Sequence, residues 1–199
     1  MARVNMPRPV PVLGGTLVTL RPLAPESDAE DYYRWNLDPE MHVWTGNEPF
    51  GTVQEARDEL RRLSGIEDIT TWAVVDNASG RMMGRFFICL EQRGGRLVAG
   101  EGNRIARQFW RKGHNREARR LVFGYVFNSL GADCIETECW TDNINSRESI
   151  LAHGFALIGE TVECSSKHGQ SMSKSHFRMT RQEWLDRRDE IGGTPPIVP

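Results

Sequence analysis

The chain has 199 residues, 39% hydrophobic and 26% charged, which is enough to bury one full core and too few to require a second, so one soluble globular domain is expected. A formal net charge of -2 and a pI near 6.2 exclude a general nucleic-acid binder, whose affinity rests on surplus Lys and Arg against phosphates. No apolar run approaches the ~20 residues that span a bilayer, and MARVNMPRPVPV lacks the apolar centre of a signal peptide, so no membrane partner and a cytoplasmic location are expected.

In chain order, residues 1–13 read as an N-terminal extension ahead of a domain over 14–190, with 191–199 as a Pro-containing tail. GTLVTLRPL (Gly14 to Leu23) alternates as a first strand. PESDAEDYYRWNLDPEM offers Ser27 or Asp28 as a cap, with acidic residues in the first turn, and predicts a short helix ending near Asp38-Pro39. TVQE carries a capping box at Thr52 and Glu55, and Ala56, Leu60 and Leu63 lie on one side of a helix over Val53 to Leu63. TTWAVVD and RMMGRFFICLEQ form a hairpin across Asn77 to Gly80.

The third strand of that series, Arg96 to Gln108, is interrupted by Gly100 and Gly102, which mark a bulge or a close approach by another backbone. From Asn115 the period changes: Ala118, Leu121, Val122, Tyr125 and Val126 define the best-marked helix, closed by Gly131. CIETECW (Cys134 to Trp140) is again a strand, and Asp142 or Asn143 caps the helix NSRESILAHGF, ending at Gly154. Strand, basic loop, helix, strand is a βαβ unit, with parallel strands and a right-handed crossover. Two more strands, ALIGETVEC and SKSHFRMT, and a short helix QEWLDRRDEI follow.

The four cysteines, Cys89, Cys134, Cys139 and Cys164, contain no CxxC pair and read as reduced thiols. Cys164, His168 and His176 offer metal-ligand types without the closed four-ligand pattern, so no metal is expected.

QFWRKGHNREARR (Gln108 to Arg120) sets Gly113 among Arg111, Lys112 and Arg116 where a helix begins. Unpaired backbone N–H groups and the helix dipole make such a start an anion site. A solvated helix end with scattered cations is the alternative, although helix starts usually attract acidic residues. Neither GxxxxGK[ST] nor GxGxxG is present, so this is neither a P-loop nor a dinucleotide fingerprint.

TLVTLRPL, LDPEM, FWRKGHNREA, DNINSRESILAHGF and RMTRQEW, in this order from about Leu17 to Leu185, resemble the GNAT superfamily of N-acetyltransferases, nearest to the branch that acetylates ribosomal-protein N-termini. The resemblance implies an α/β (α+β) fold: a mixed, mostly antiparallel twisted sheet flanked by helices, with a central βαβ unit binding acetyl-CoA; a homodimer suits the family. It implies that backbone N–H groups over Arg111, Lys112, Gly113, His114, Asn115 and Arg116 hold the CoA pyrophosphate, and that Ile105, Ala106 and Arg107 pair with the pantetheine arm. Asn143 and Ser146 match the Asn and Ser that face the arm and the sulfur. The chain departs from the pattern at Arg111 and Asn115, where the branch has small residues whose replacement crowds the pyrophosphate.

Acyl transfer to an amine needs a base, an acid for the leaving thiolate and a polarised carbonyl. Glu101 is the first candidate base, Glu138 the second, and Ser146 the candidate acid, since Ile150 stands where many relatives have Tyr. His42 is a further base or pocket residue, and Trp35, Trp44 and Trp72, with Tyr33, are candidate walls of the acceptor pocket. Cys139 reads as core, His114 as a loop residue, and His153 as a helix-end residue near the negative end of the dipole. The function expected is direct transfer of acetyl from acetyl-CoA to a primary amine of a peptide N-terminus or small molecule; the alternative is a catalytically weak or inactive acyl-CoA-binding regulatory protein on the same scaffold.

Overall fold

The computed structural model describes residues 2–187. A central sheet carries β1 (Ala2–Val4), β2 (Leu13–Gly14), β3 (Val18–Pro22), β4 (Ile69–Asp76), β5 (Met82–Arg93), β6 (Arg96–Ile105), β7 (Cys134–Trp140), β8 (Ala156–Ser165) and β9 (Gln170–Thr180). Their spatial order is β2-β3-β4-β5-β6-β7-β9-β8, with β1 pairing on β5. All described pairings are antiparallel except β6 with β7.

Helices α1 (Pro25–Asn36) and α2 (Val53–Ser64) cover one face, and α3 (His114–Gly124), α4 (Ile144–Ala152) and α5 (Arg181–Arg187) the other. The strands under both layers are apolar on both faces. On β4, Trp72 and Val74 join the core beneath α3, while Ala73 and Val75 join that beneath α1 and α2. β7 follows β6 through α3, so the βαβ unit stands as the period change implied.

Several boundaries differ from expectation. Residues 2–13 are not a separate extension: β1 continues the edge of β5 past the end of β4, so that Ile69 faces Cys89 and Val4 faces Leu90, and Met6 and Leu13 are core. Helix α1 starts at Pro25 after Ala24, because Asp28 is spent on Arg21 (2.5 Å) and the Ala24 N–H (2.8 Å). β6 stops at Ile105 and gives way to a 3-10 turn over Arg107–Phe109. Past Gly124 the third helix loosens into a π turn over Tyr125–Ser129. The expected tail 191–199 and the end of the last helix lie outside the described residues.

Glycines 100 and 102 mark neither a bulge nor the approach of another backbone: they leave room for side chains of β5. The β5–β6 register runs unbroken from Gly84↔Ile105 to Arg93↔Arg96. A Cβ at Gly102 would lie 2.5 Å from the Phe87 ring, and one at Gly100 would lie 2.9 Å from Cys89 Sγ.

Candidate active site

The parallel pair β6–β7 holds only across Val98↔Cys134, Ala99↔Ile135 and Gly100↔Glu136. Beyond that, β6 stays zipped to β5 as far as Ile105, and β7 stays zipped to β9 as far as Trp140↔Lys174. The two halves of the sheet therefore diverge, and on the β7 side residues 101–105 have no strand neighbour. At the point of divergence Thr137 Oγ1 donates to the Glu101 carbonyl at 3.3 Å.

A buried polar wedge fills the α3 side of this gap. Glu101 Oε1 accepts from Arg119 Nη2 at 2.9 Å, their side chains 0% and 5% exposed. Arg119 Nη1 also lies 3.5 Å from both Ser149 Oγ on α4 and Nδ1 of His153, which caps that helix. With its amide oriented to satisfy both ends, Asn103 donates to Asn115 Oδ1 (3.2 Å) and accepts from Arg119. Glu101, the first candidate base, is thus closed off by a cation. His153 is not a dipole-stabilised cation at a helix end: burial, and then the Arg119 charge, push its pKa down to about 4, and Nδ1 faces the Ser149 carbonyl at 2.5 Å.

At the mouth of the gap, Gly113 caps α3 in the left-handed region (φ 87) without a side-chain cap, leaving the first-turn N–H groups directed at the loop. Arg111 is the one non-glycine with positive φ (58) among the described residues. Where the resemblance expects glycine, the backbone has adopted the glycine conformation with an arginine on it. Arg111, Lys112 and Arg116 are exposed, and Arg111 Nη2 reaches Asn145 Oδ1 at 3.3 Å, linking the loop to α4. Asn115 does not crowd the loop, because its side chain turns inward to Ser149 Oγ at 3.4 Å. His114 is no loop residue: it is buried against the Phe109 ring, with Nε2 3.5 Å from Asp76.

Of the expected pairing edge, Ile105 lies in the core and its carbonyl accepts from Trp110 Nε1 at 2.6 Å, Ala106 has given its N–H to Met83 at 2.8 Å, and Arg107 has turned out of the strand. The stretch of β6 without a strand neighbour lies further back, over 101–105, and shares only Ile105 with the expected edge. Asn143 Oδ1 caps α4 by accepting from Ser146 N at 3.2 Å. The Ser146 hydroxyl meets the Cys139 thiol, whose pKa is pushed up by burial, so this cysteine is a neutral core residue.

On the opposite face, α1 and α2 leave the β6–β7–β9 region open, and a cleft of about 430 Å³ is lined by Phe87, Glu101, Glu136, Glu138 and His176 among others. A smaller cleft, about 100 Å³, lies between the α1–α2 connection and the β8–β9 turn, lined by Trp44, Trp140, Glu163, Lys167 and His168. His168 Nε2 meets the Val43 carbonyl at 3.0 Å, and Lys167 meets Glu48 at 3.2 Å, joining the two loops. Trp44 is therefore in a cleft, but the other candidate walls are not. Trp72 is fully buried with Nε1 on the Pro11 carbonyl (2.8 Å), and Trp35 is core, edge-on to Tyr32 and under the Arg104 guanidinium. Tyr33 packs partly buried against the same cluster. His42 faces the Asn36 and Asn47 carbonyls with both ring nitrogens (2.6 and 3.1 Å) and serves as a strut for its loop.

Glu138 stands exposed on β7 beyond the split, 3.0 Å from Lys174 Nζ and 3.4 Å from His176 Nδ1. Sequence reasoning missed Asn103, Arg119, Trp140 and Lys174, and offered His176 only as a metal-ligand type. The one available signal was Arg119 at the i+4 position from Asn115 and beside Ala118 on the buried stripe of α3.

The candidate site is therefore a parallel pair that opens beside an uncapped helix start, with clefts on the far face of the sheet. The sequence profile of the acetyltransferase (GNAT) domain matches residues 18–156, more than half of the chain, and the chain belongs to that family. A GCN5-related N-acetyltransferase from Brucella melitensis superposes with a TM-score of 0.82 at 24% identity, over 95% of this chain and 86% of the other. The ribosomal-protein-S5-alanine acetyltransferase from Vibrio fischeri gives 0.73 at 16% identity, over 87% and 98%. A chimera of Vibrio cholerae spermidine N-acetyltransferase gives 0.71 at 19%, over 86% and 100%. At these identities the likeness is one of fold. No curated protein matches the chain.

Proposed function

We propose that the protein is an acetyl-CoA-dependent N-acetyltransferase that transfers acetyl directly to a primary amine of a small molecule or peptide N-terminus. The observation that carries this reading is the split itself. It leaves residues 101–105 of β6 without a strand neighbour on the β7 side, beside the uncapped start of α3, with clefts on the opposite face of the sheet. These features suit acetyl-CoA: an extended arm bearing amides adds to a free strand edge, and a pyrophosphate suits the α3 N–H groups with Arg111, Lys112 and Arg116 around them. When bound, acetyl-CoA supplies an activated thioester acetyl group.

The chain's own residues divide the remaining work. The Asn143 side-chain N–H₂ is left for the arm once Oδ1 has capped α4. The Ser146 hydroxyl, one turn into that helix, is the proton donor to the leaving sulfur. Glu138 is the carboxylate that accepts the amine's proton, directly or through water, because Arg119 occupies Glu101. Glu101 acts through Arg119 as a positioning residue that holds β6 against α3 and α4.

Calorimetric titration of acetyl-CoA into the protein and into Gly113→Trp tests this, together with thiol release in an amine screen. Binding to the unmodified protein that is lost in the variant supports the reading. Absence of binding to the unmodified, folded protein overturns it.

A further inference from the structure

Lys174 lies across from Trp140 on the β7–β9 ladder, and its ammonium sits 4.9 Å from the Trp140 ring centroid. The same ammonium is 3.0 Å from Glu138 and 2.6 Å from Glu163. One aromatic face and two carboxylates converging on a point are a recognition site for an alkylammonium group. Trp140 and Glu163 line the smaller cleft and Glu138 lines the larger, so the groups around the ammonium belong to both acceptor-side clefts. The neighbours that face the two acids are His176 at 3.4 Å from Glu138 and Thr161 at 3.3 Å from Glu163. The side chain of Lys174 is 17% exposed, whereas those of Glu138 and Glu163 are 53% and 44% exposed. Burial of Lys174 works against its charge, but the two carboxylates outweigh it and raise its pKa, so the lysine stays a cation and is no nucleophile.

We propose that Lys174 is a specificity determinant. Its ammonium fills, from within the chain, a site that would otherwise hold the distal ammonium of a diamine or polyamine, and so turns the enzyme toward acceptors with a single cationic amine. The proposal rests on the N-acetyltransferase reading for its meaning, but the site itself can be tested without turnover. With Lys174 in place, a second cation meets a neutralised, occupied site; with Lys174 removed, it meets Trp140 and two unpaired carboxylates.

The test titrates 1,4-diaminobutane and butylamine, without cofactor, into the full chain and into Lys174→Met. The unmodified protein is expected to bind the two amines alike. The variant is expected to bind both amines about ten-fold more tightly, because each carries an alkylammonium group that fits the vacated site, as suits one cation–π contact and two partly exposed ion pairs. Adding Trp140→Leu to Lys174→Met should erase the gain. Lys174→Gln serves if the Met variant does not fold. An unmodified protein that already prefers the diamine, or a folded Lys174 variant with no gain, overturns the proposal. Failure to bind acetyl-CoA would instead sink the acetyltransferase reading and leave this binding result standing.

Discussion

Arg119 on α3 and Glu101 on β6 meet at 2.9 Å, both side chains shut off from solvent. The pair stands at the divergence of the two strands and bonds the wall of the gap to its helical roof. Removing one partner of such a pair strands a buried charge. Arg119→Met is therefore expected to lower unfolding stability by about 3–5 kcal/mol. Arg119→Met combined with Glu101→Leu should recover a large part of that loss, because no charge is then left unpaired. Urea unfolding of the three variants measures both.

His153 gives stability a pH dependence of known sign. Its pKa is about 4 in the folded chain against 6.5 for the free side chain, so the unfolded state binds the extra proton. Its contribution is fully present above about pH 6.5 and is lost progressively as the pH falls toward about 4. The loss across that window is on the order of 3 kcal/mol. Unfolding midpoints at pH 7 and pH 5 should separate by less in His153→Leu than in the unmodified protein.

Arg111 carries backbone strain that a glycine would not. Arg111→Gly is expected to stabilise the fold by about 1 kcal/mol. It should also weaken acetyl-CoA binding, with a shallower dependence on salt, since a cation at the loop is lost. Thermal unfolding and calorimetry at two salt concentrations report the opposite signs.

The division of labour between the two acids separates in kinetics. Glu138→Gln is expected to lower kcat about 100-fold with little change in unfolding stability, as for loss of a general base on an exposed strand. Glu101→Gln should chiefly cost stability. An unchanged kcat in Glu138→Gln removes it from the proton transfer.

Glu117 shows a structural role that the family-like motif does not reveal. Its carboxylate accepts from the N–H groups of Thr16, Leu17 and Val18 at 2.9, 2.6 and 2.8 Å, tying the start of α3 to the β2–β3 turn. Glu117→Ala leaves those donors unmatched and should destabilise the protein by about 2–3 kcal/mol, measured by denaturation.

The sequence by itself determined the parts written in local periodicity and local chemistry. Alternation marks β7, the turn residues Asn77 to Gly80 mark the β4–β5 hairpin, the apolar stripe of α3 marks the crossover, and Thr52 marks the start of α2, because each signal lies within a few residues of its effect. The basic loop was legible for the same reason. Only the tertiary structure decided which side chains meet. Glu101 and Arg119 are 18 positions apart in the chain, and the pairing that turns a candidate base into half of a buried ion pair comes from how α3 folds back over β6. Trp72 and Trp44 are alike as residues, yet one lies under the sheet and the other beside a cleft, because position in the layers, not residue type, sets exposure. The split between β6 and β7 is likewise a contest of registers: each strand keeps its antiparallel partner to the end, and the parallel pair between them gives way.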